Sequence, residues 1–114
     1  MKRLAFIYLV LCACFQTYLS SQSCLPEGIT FNTQWQIDNF LPNYPNCTEI
    51  EGDVIIDGID ITNLNGLGVV TFIGGDLLIW NNSLISLNGL HNLTNVSGDF
   101  ELFSTGLINL TGLN

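Results

Sequence analysis

Residues 74–97, GGDLLIWNNSLISLNGLHNLTNVS, form a unit that recurs without a gap at a shift of 23 positions. Gly52-Asp53, Gly75-Asp76 and Gly98-Asp99 superimpose under that shift. So do Leu64, Leu87 and Leu110, then Gly66, Gly89 and Gly112, then Leu67, Leu90 and Leu113. Self-similarity at a fixed period of this size marks a stack of repeats, each too small to bury its apolar face alone. Ordering one such unit costs more conformational entropy than its few aliphatics return on burial, so units have to pile on one another.

Inside each unit Gly-Asp leads into alternating residues: Val54 and Ile56, Leu77 and Ile79, Phe100 and Leu102. A period of two predicts a strand with those residues facing inward. Further on, the apolar spacing changes to three, at Leu84, Leu87, Leu90, Leu93 and Val96, which suits an irregular or 3₁₀-like run that turns the chain. Ile50, Ile73 and Val96 share a further column, so the phase is already kept before Gly52. Gly66, Gly89 and Gly112 fall where the backbone needs positive φ or a close approach to the next unit. The expected fold is mostly β, a solenoid of 23-residue coils over residues 52–114, about three coils with the last incomplete. On this reading the chain is a fragment of a longer array.

Ahead of the repeats, Met1-Lys2-Arg3 and an apolar run from Leu4 to Phe15 are followed by Ser20, Ser21 and Ser23, the layout of a secretory signal peptide. We expect residues 1–21 to be removed, with lipidation at Cys14 as a less favoured alternative. Cys24 and Cys47 then remain, and in an oxidising compartment they read as one disulfide, the alternative being two unpaired thiols. Residues 22–51 form an N-terminal cap. Thr33-Gln34-Trp35-Gln36 fits a capping box, Ile37, Phe40 and Leu41 lie at helical spacing on one face, and Pro42 and Pro45 stop the helix. Such a helix covers the apolar end of a stack.

Charge narrows the partners. Lys2 and Arg3 are the only basic residues besides His91, and all ten acids lie beyond Ser23. Nucleic acid is excluded because nothing can neutralise phosphates, and an anionic membrane surface for the same reason. No membrane insertion is expected after signal cleavage, and no cofactor. Calcium or a basic partner stays open.

The strand alternation turns Ile55 and Asp57, Leu78 and Trp80, and Glu101 and Phe103 outward. Rungs about 4.8 Å apart make Asp57, Trp80 and Phe103 one column and Ile55, Leu78 and Glu101 the next. An outward patch of aromatics and acids is a candidate ligand-binding face; the bland alternative is a surface covered by other parts of a longer protein. Asp53, Asp76 and Asp99 form an acidic column. Paired carboxylates can serve glycoside hydrolysis, but an Asp on every rung reads more simply as a turn residue accepting backbone amides. His91 has no second His or Cys near it in sequence, and sits on an outer turn. Asn81 and Asn82 suit a side-chain turn ladder. The N-x-S/T sequons at Asn46, Asn81, Asn92, Asn95 and Asn109 matter only in a eukaryotic source.

The run from Asn46-Cys47-Thr48-Glu49-Ile50-Glu51-Gly52-Asp53 to Val54-Ile55-Ile56 resembles the start of the receptor L-domain family, the leucine-rich-repeat-like modules of growth-factor and insulin-type receptors. The pattern G-D-L-x-I-x-x-N-x-x-L-x-x-L-x-x-L from Gly75 to Leu93 is similar to that family too, and closer to repetitive versions in secreted bacterial surface proteins. The resemblance covers residues 24–114, the cap from Cys24 to Cys47 included. It implies a right-handed β-helix of leucine-rich-repeat type whose flat parallel sheet holds a polypeptide. The chain is more regular than the receptors, has fewer cysteines, and shows no kinase or transmembrane segment, so the resemblance implies the fold and not a growth-factor ligand.

Function is therefore expected to be non-enzymatic: a secreted or cell-surface recognition or adhesion module that binds an extracellular protein or glycan through the outward sheet face. The alternatives are a carbohydrate-active β-helix enzyme and a structural spacer. The enzyme is disfavoured because no Ser/His/Asp or metal-ligand cluster is present and no Lys or Arg remains to abstract a proton.

Overall fold

A computed structural model describes residues 22–80, 82–103, 106 and 107. The expected signal peptide, Cys14, Asn81, Asn109, Leu110, Gly112 and Leu113 lie outside the described residues.

Eight short strands make up most of the regular structure: β1 (Ser23–Cys24), β2 (Ile29–Phe31), β3 (Glu49–Ile50), β4 (Val54–Asp57), β5 (Phe72–Ile73), β6 (Leu77–Trp80), β7 (Asn95–Val96) and β8 (Phe100–Phe103). They form two four-stranded sheets, β1-β3-β5-β7 and β2-β4-β6-β8, in which every neighbouring pair is parallel. The chain visits the sheets alternately, so each strand pairs with a strand of the following unit. Val54 lies opposite Leu77, and Leu77 opposite Phe100; Ile50 lies opposite Ile73, and Ile73 opposite Val96. The sequence shift of 23 is thus the pairing register itself. The mostly-β expectation holds, and the second sheet is an addition to it.

One apolar cluster fills the space between these elements. Val54, Ile56, Leu77 and Ile79 enter it from the second sheet, and Ile50 and Ile73 from the first. The three-residue spacing of aliphatics has a backbone cause. Leu67 N–H donates to the Leu64 carbonyl and Val70 N–H to that of Leu67; one unit later Leu90 bonds back to Leu87 and Leu93 to Leu90. Each closed turn of three residues brings the next aliphatic round to the same side, and Leu84, Leu87, Leu90 and Leu93 are all buried. One of these turns is regular enough to be a 3₁₀ helix, Asn65–Leu67.

The N-terminal segment is built into this arrangement. β1 and β2 supply the first strand of each sheet, Cys24 opposite Ile50 and Thr30 opposite Ile55, and the Cys24–Cys47 disulfide is formed, with 5.5 Å between Cα atoms. Between them, α1 (Gln34–Asp38) carries the expected capping box, with Thr33 and Gln36 reciprocally bonded. The helix does not run on to Pro42. It breaks at Asn39, and a second turn, α2 (Phe40–Asn43), follows. Pro42 sits inside that turn, where a first-turn N–H would have no helical partner in any case. The break also separates the expected face: Ile37 and Phe40 are buried but Leu41 is exposed. Gln34 ties the helix to the first repeat. Its Oε1 accepts from the N–H groups of Thr62 (2.8 Å) and Asn63 (3.2 Å), while its Nε2 donates to the Asn63 carbonyl (3.1 Å).

Phe100 departs from expectation. It continues the inward column of Val54 and Leu77 but is 40% exposed, because β8 is the outer strand of its sheet and no described strand lies beyond it.

Gly89 has φ +108°, and a Cβ there would collide with the Leu64 carbonyl. At Gly68, with φ −62°, a Cβ would meet only Asn65 O and the His91 ring at ordinary separations. Gly89→Ala is expected to cost about 1–3 kcal/mol, and Gly68→Ala less than about 0.5 kcal/mol, as read from urea melts. Replacing Cys24 and Cys47 together by Ser should cost about 3 kcal/mol for a loop of this length, measured the same way under oxidising conditions.

Candidate functional site

The outward residues of the longer sheet are fixed by alternation and register. Thr30, Ile55, Leu78 and Glu101 are opposite one another in one column. Asp57, Trp80 and Phe103 are opposite one another in the next. The two columns expected from the sequence are therefore assembled on one face, and Thr30 extends the first of them by one rung. The side chains differ in exposure along the stack. Ile55, Asp57, Leu78 and Trp80 are half-buried, whereas Glu101 is exposed and Phe103 is 66% exposed. The face is thus open at both ends, at Thr30 and at β8, and its exposed aromatic lies at the β8 end. Trp80 lies between Asp57 and Phe103 and contributes an unusual group: its indole Nε1 is buried without a hydrogen-bond partner among the described residues. An unmade bond of this kind costs about 1–3 kcal/mol.

The aspartate column is held by a bond that crosses the rungs. The Asp76 N–H donates to Asp53 Oδ1 (2.8 Å), and the Asp99 N–H donates to Asp76 Oδ1 (2.8 Å). Gly75 and Gly98, each just before the donor, pass so close to the accepting carboxylate that a Cβ would collide with its Oδ1. Glycine followed by aspartate is one device: the first residue leaves room for the lower carboxylate, and the second offers both the donor and the next acceptor. These oxygens are engaged in structure. Among the described residues no group of three or more His, Cys, Asp or Glu is placed to hold a metal ion.

A matching ladder of threonines, absent from the sequence expectations, runs along the other sheet. The Thr71 N–H and Oγ1–H both donate to the Thr48 carbonyl (2.8 and 3.2 Å), and Thr94 does the same to Thr71 (2.9 and 2.9 Å). The 23-residue spacing of the three threonines was the signal that could have revealed it. Asn82 is buried and closes a local turn, donating from Nδ2 to the Trp80 carbonyl (3.1 Å) and accepting at Oδ1 from the Leu84 N–H (3.2 Å). His91 is exposed beside Asn92, its Nε2 lying 3.3 Å from Asn92 Nδ2, while Asn92 Nδ2 also donates to the Gly68 carbonyl (2.6 Å).

Residues 46–109 match the family model described as Receptor L domain. That family consists of extracellular, ligand-binding domains and is not typically enzymatic. Among the described residues no helix is long and apolar enough to cross a membrane. Neither the curated proteins nor the solved structures contain a match.

The aspartate ladder makes a graded prediction. Asp76→Ala leaves the Asp99 amide without its acceptor and should cost about 1–2 kcal/mol, whereas Asp76→Asn keeps an acceptor oxygen and should cost less than half of that. Chemical denaturation of the two variants beside the parent measures the difference.

Proposed function

The chain belongs to the receptor L-domain family, and we propose that it is a non-enzymatic extracellular recognition module that binds a polypeptide on the outward face of its β2-β4-β6-β8 sheet. The observation that carries this reading is the column of Asp57, Trp80 and Phe103 on a parallel sheet, with a large aromatic exposed at its accessible end. Large aromatics anchor protein interfaces because they bury much area at low entropic cost. A ligand that covers Phe103 and the accessible part of the Trp80 ring would gain apolar burial.

In this proposal the strands and turns together form a right-handed solenoid of 23-residue coils, residues 52–114, on a cap of residues 22–51. Repetition then supplies the flatness of the face, since each coil places its strand in register with the last. The acidity beyond residue 21 favours a ligand whose contact surface is basic, and the face offers Asp57 and Glu101 beside the aromatics to meet it. Secretion after removal of residues 1–21 places the module where such a ligand is met.

Photo-crosslinking on the full chain tests this. A benzoylphenylalanine at position 103 should capture one extracellular polypeptide that the same probe at Ile85, exposed in the turn after β6, does not capture. Phe103→Ala should then weaken binding of that polypeptide by about ten-fold or more. Equal capture from position 85, or unchanged affinity in Phe103→Ala, would contradict the proposal.

A further inference from the structure

The β2 edge of the same sheet carries a second feature, at the end away from Phe103 and sharing only Thr30 with the sheet face. A cavity of about 210 Å³ opens there, floored by Ile29 and Phe31 and walled by Trp35, Tyr44, Thr30, Gln36 and Asn43. Phe31 is buried and Trp35 is 65% exposed. The Tyr44 ring and the backbone at Trp35 are held in place. Tyr44 packs on Phe40 (centroids 5.4 Å apart), and Phe40 packs edge-on against Phe31 (5.8 Å). The Trp35 carbonyl is fixed by two donors, the Asn39 N–H (3.0 Å) and Nδ2 (2.8 Å).

The polar groups at its rim are defined by what the fold has already used. Gln36 Oε1 accepts from the N–H groups of Asn32 (2.5 Å) and Thr33 (3.1 Å), so the amide Nε2 is the group it has left to donate. The Ile29 N–H donates to the Asp53 carbonyl on the β4 side (2.9 Å). In a parallel ladder successive residues point their N–H and C=O to opposite sides, which directs those of Thr30 to the free edge. Just beyond, the Asn32 and Thr33 amides are taken by Gln36; just before, the Gly28 N–H is taken by the Leu25 carbonyl. The edge therefore offers a single residue's pair of backbone groups, too little to add a peptide strand.

We propose that this cavity is a binding site for one neutral sugar ring, such as the terminal hexose of a glycan. The size fits one ring, since pockets for drug-sized ligands run to roughly 300–1,000 Å³. The lining holds no charged side chain, and an acidic chain disfavours an anionic ligand. Two aromatic surfaces suit the apolar face of a pyranose. A rim of mixed donors and acceptors (the Gln36 and Asn43 amides, the Thr30 hydroxyl and its backbone) suits hydroxyls, which both donate and accept.

Saturation-transfer NMR of the full chain with the methyl glycosides of glucose, galactose, mannose and N-acetylglucosamine tests the site, with the blocked peptide acetyl-Val-Thr-Val-Thr-amide as the comparison. At least one glycoside should bind saturably in the millimolar range, and Trp35→Ala should weaken it about ten-fold or more. Trp35→Phe should keep part of the affinity, and Asn43→Ala should weaken binding with an unchanged thermal melt. Absence of saturable binding for all four glycosides, undiminished binding in Trp35→Ala, or binding of the peptide alone would overturn the proposal. None of these results bears on capture at Phe103, which lies at the opposite edge of the sheet.

Discussion

A hydrogen bond from the backbone of one repeat to a carboxylate of the repeat before it sets the register on which the rest of this structure depends. Asp53 Oδ1 receives the Asp76 amide, and Asp76 Oδ1 receives that of Asp99. The bond sits directly before strands β4, β6 and β8, so it fixes the starting point of each strand relative to the last. A slip by one residue would turn Ile56 and Ile79 outward and bring Asp57 and Trp80 into the core. The ladder is specific because only glycine before each donor allows the approach. It is reinforced on the other sheet by Thr71 and Thr94, whose amides and hydroxyls converge on the carbonyls of Thr48 and Thr71, one repeat earlier.

Much of this was legible in the sequence because repetition converts a spacing into a contact. The shift that aligns Gly52, Gly75 and Gly98 is also the shift that pairs Val54 with Leu77 and Phe100. Once strand alternation was recognised, the columns of Asp57, Trp80 and Phe103 and of Ile55, Leu78 and Glu101 followed without further assumption. The three-residue leucine spacing likewise reported a run of closed turns. What escaped the reading was whatever the period does not govern. The helical segment before the repeats occurs once, so its break at Asn39 and the outward turn of Leu41 have no second copy to reveal them. Gln34, whose side-chain amide ties α1 to the first repeat, is a single polar residue with no pattern around it.

The candidate site shows the same division. Alternation gives the direction of a side chain, but exposure depends on what stacks beyond it. Trp80 points outward yet is half-buried between its neighbours, and Phe103 rather than Trp80 is the accessible aromatic. The buried indole N–H of Trp80, without a partner among the described residues, follows from that enclosure and has no counterpart in the sequence. The β2-edge cavity is similar, since it arises where a non-repeating helix meets the first strand of a repeating sheet.

Native-state hydrogen exchange at the Asp76 and Asp99 amides reads the aspartate ladder itself, because Asp99 is exposed and Asp76 only partly covered, so that the cross-rung bond has to supply their protection. If the ladder holds the register, both exchange nearly as slowly as the strand amides of Leu77 and Ile79. Exchange of Asp76 and Asp99 at the rate of free loop amides, while Leu77 and Ile79 stay protected, would show that the aspartate ladder does not hold the stack in register.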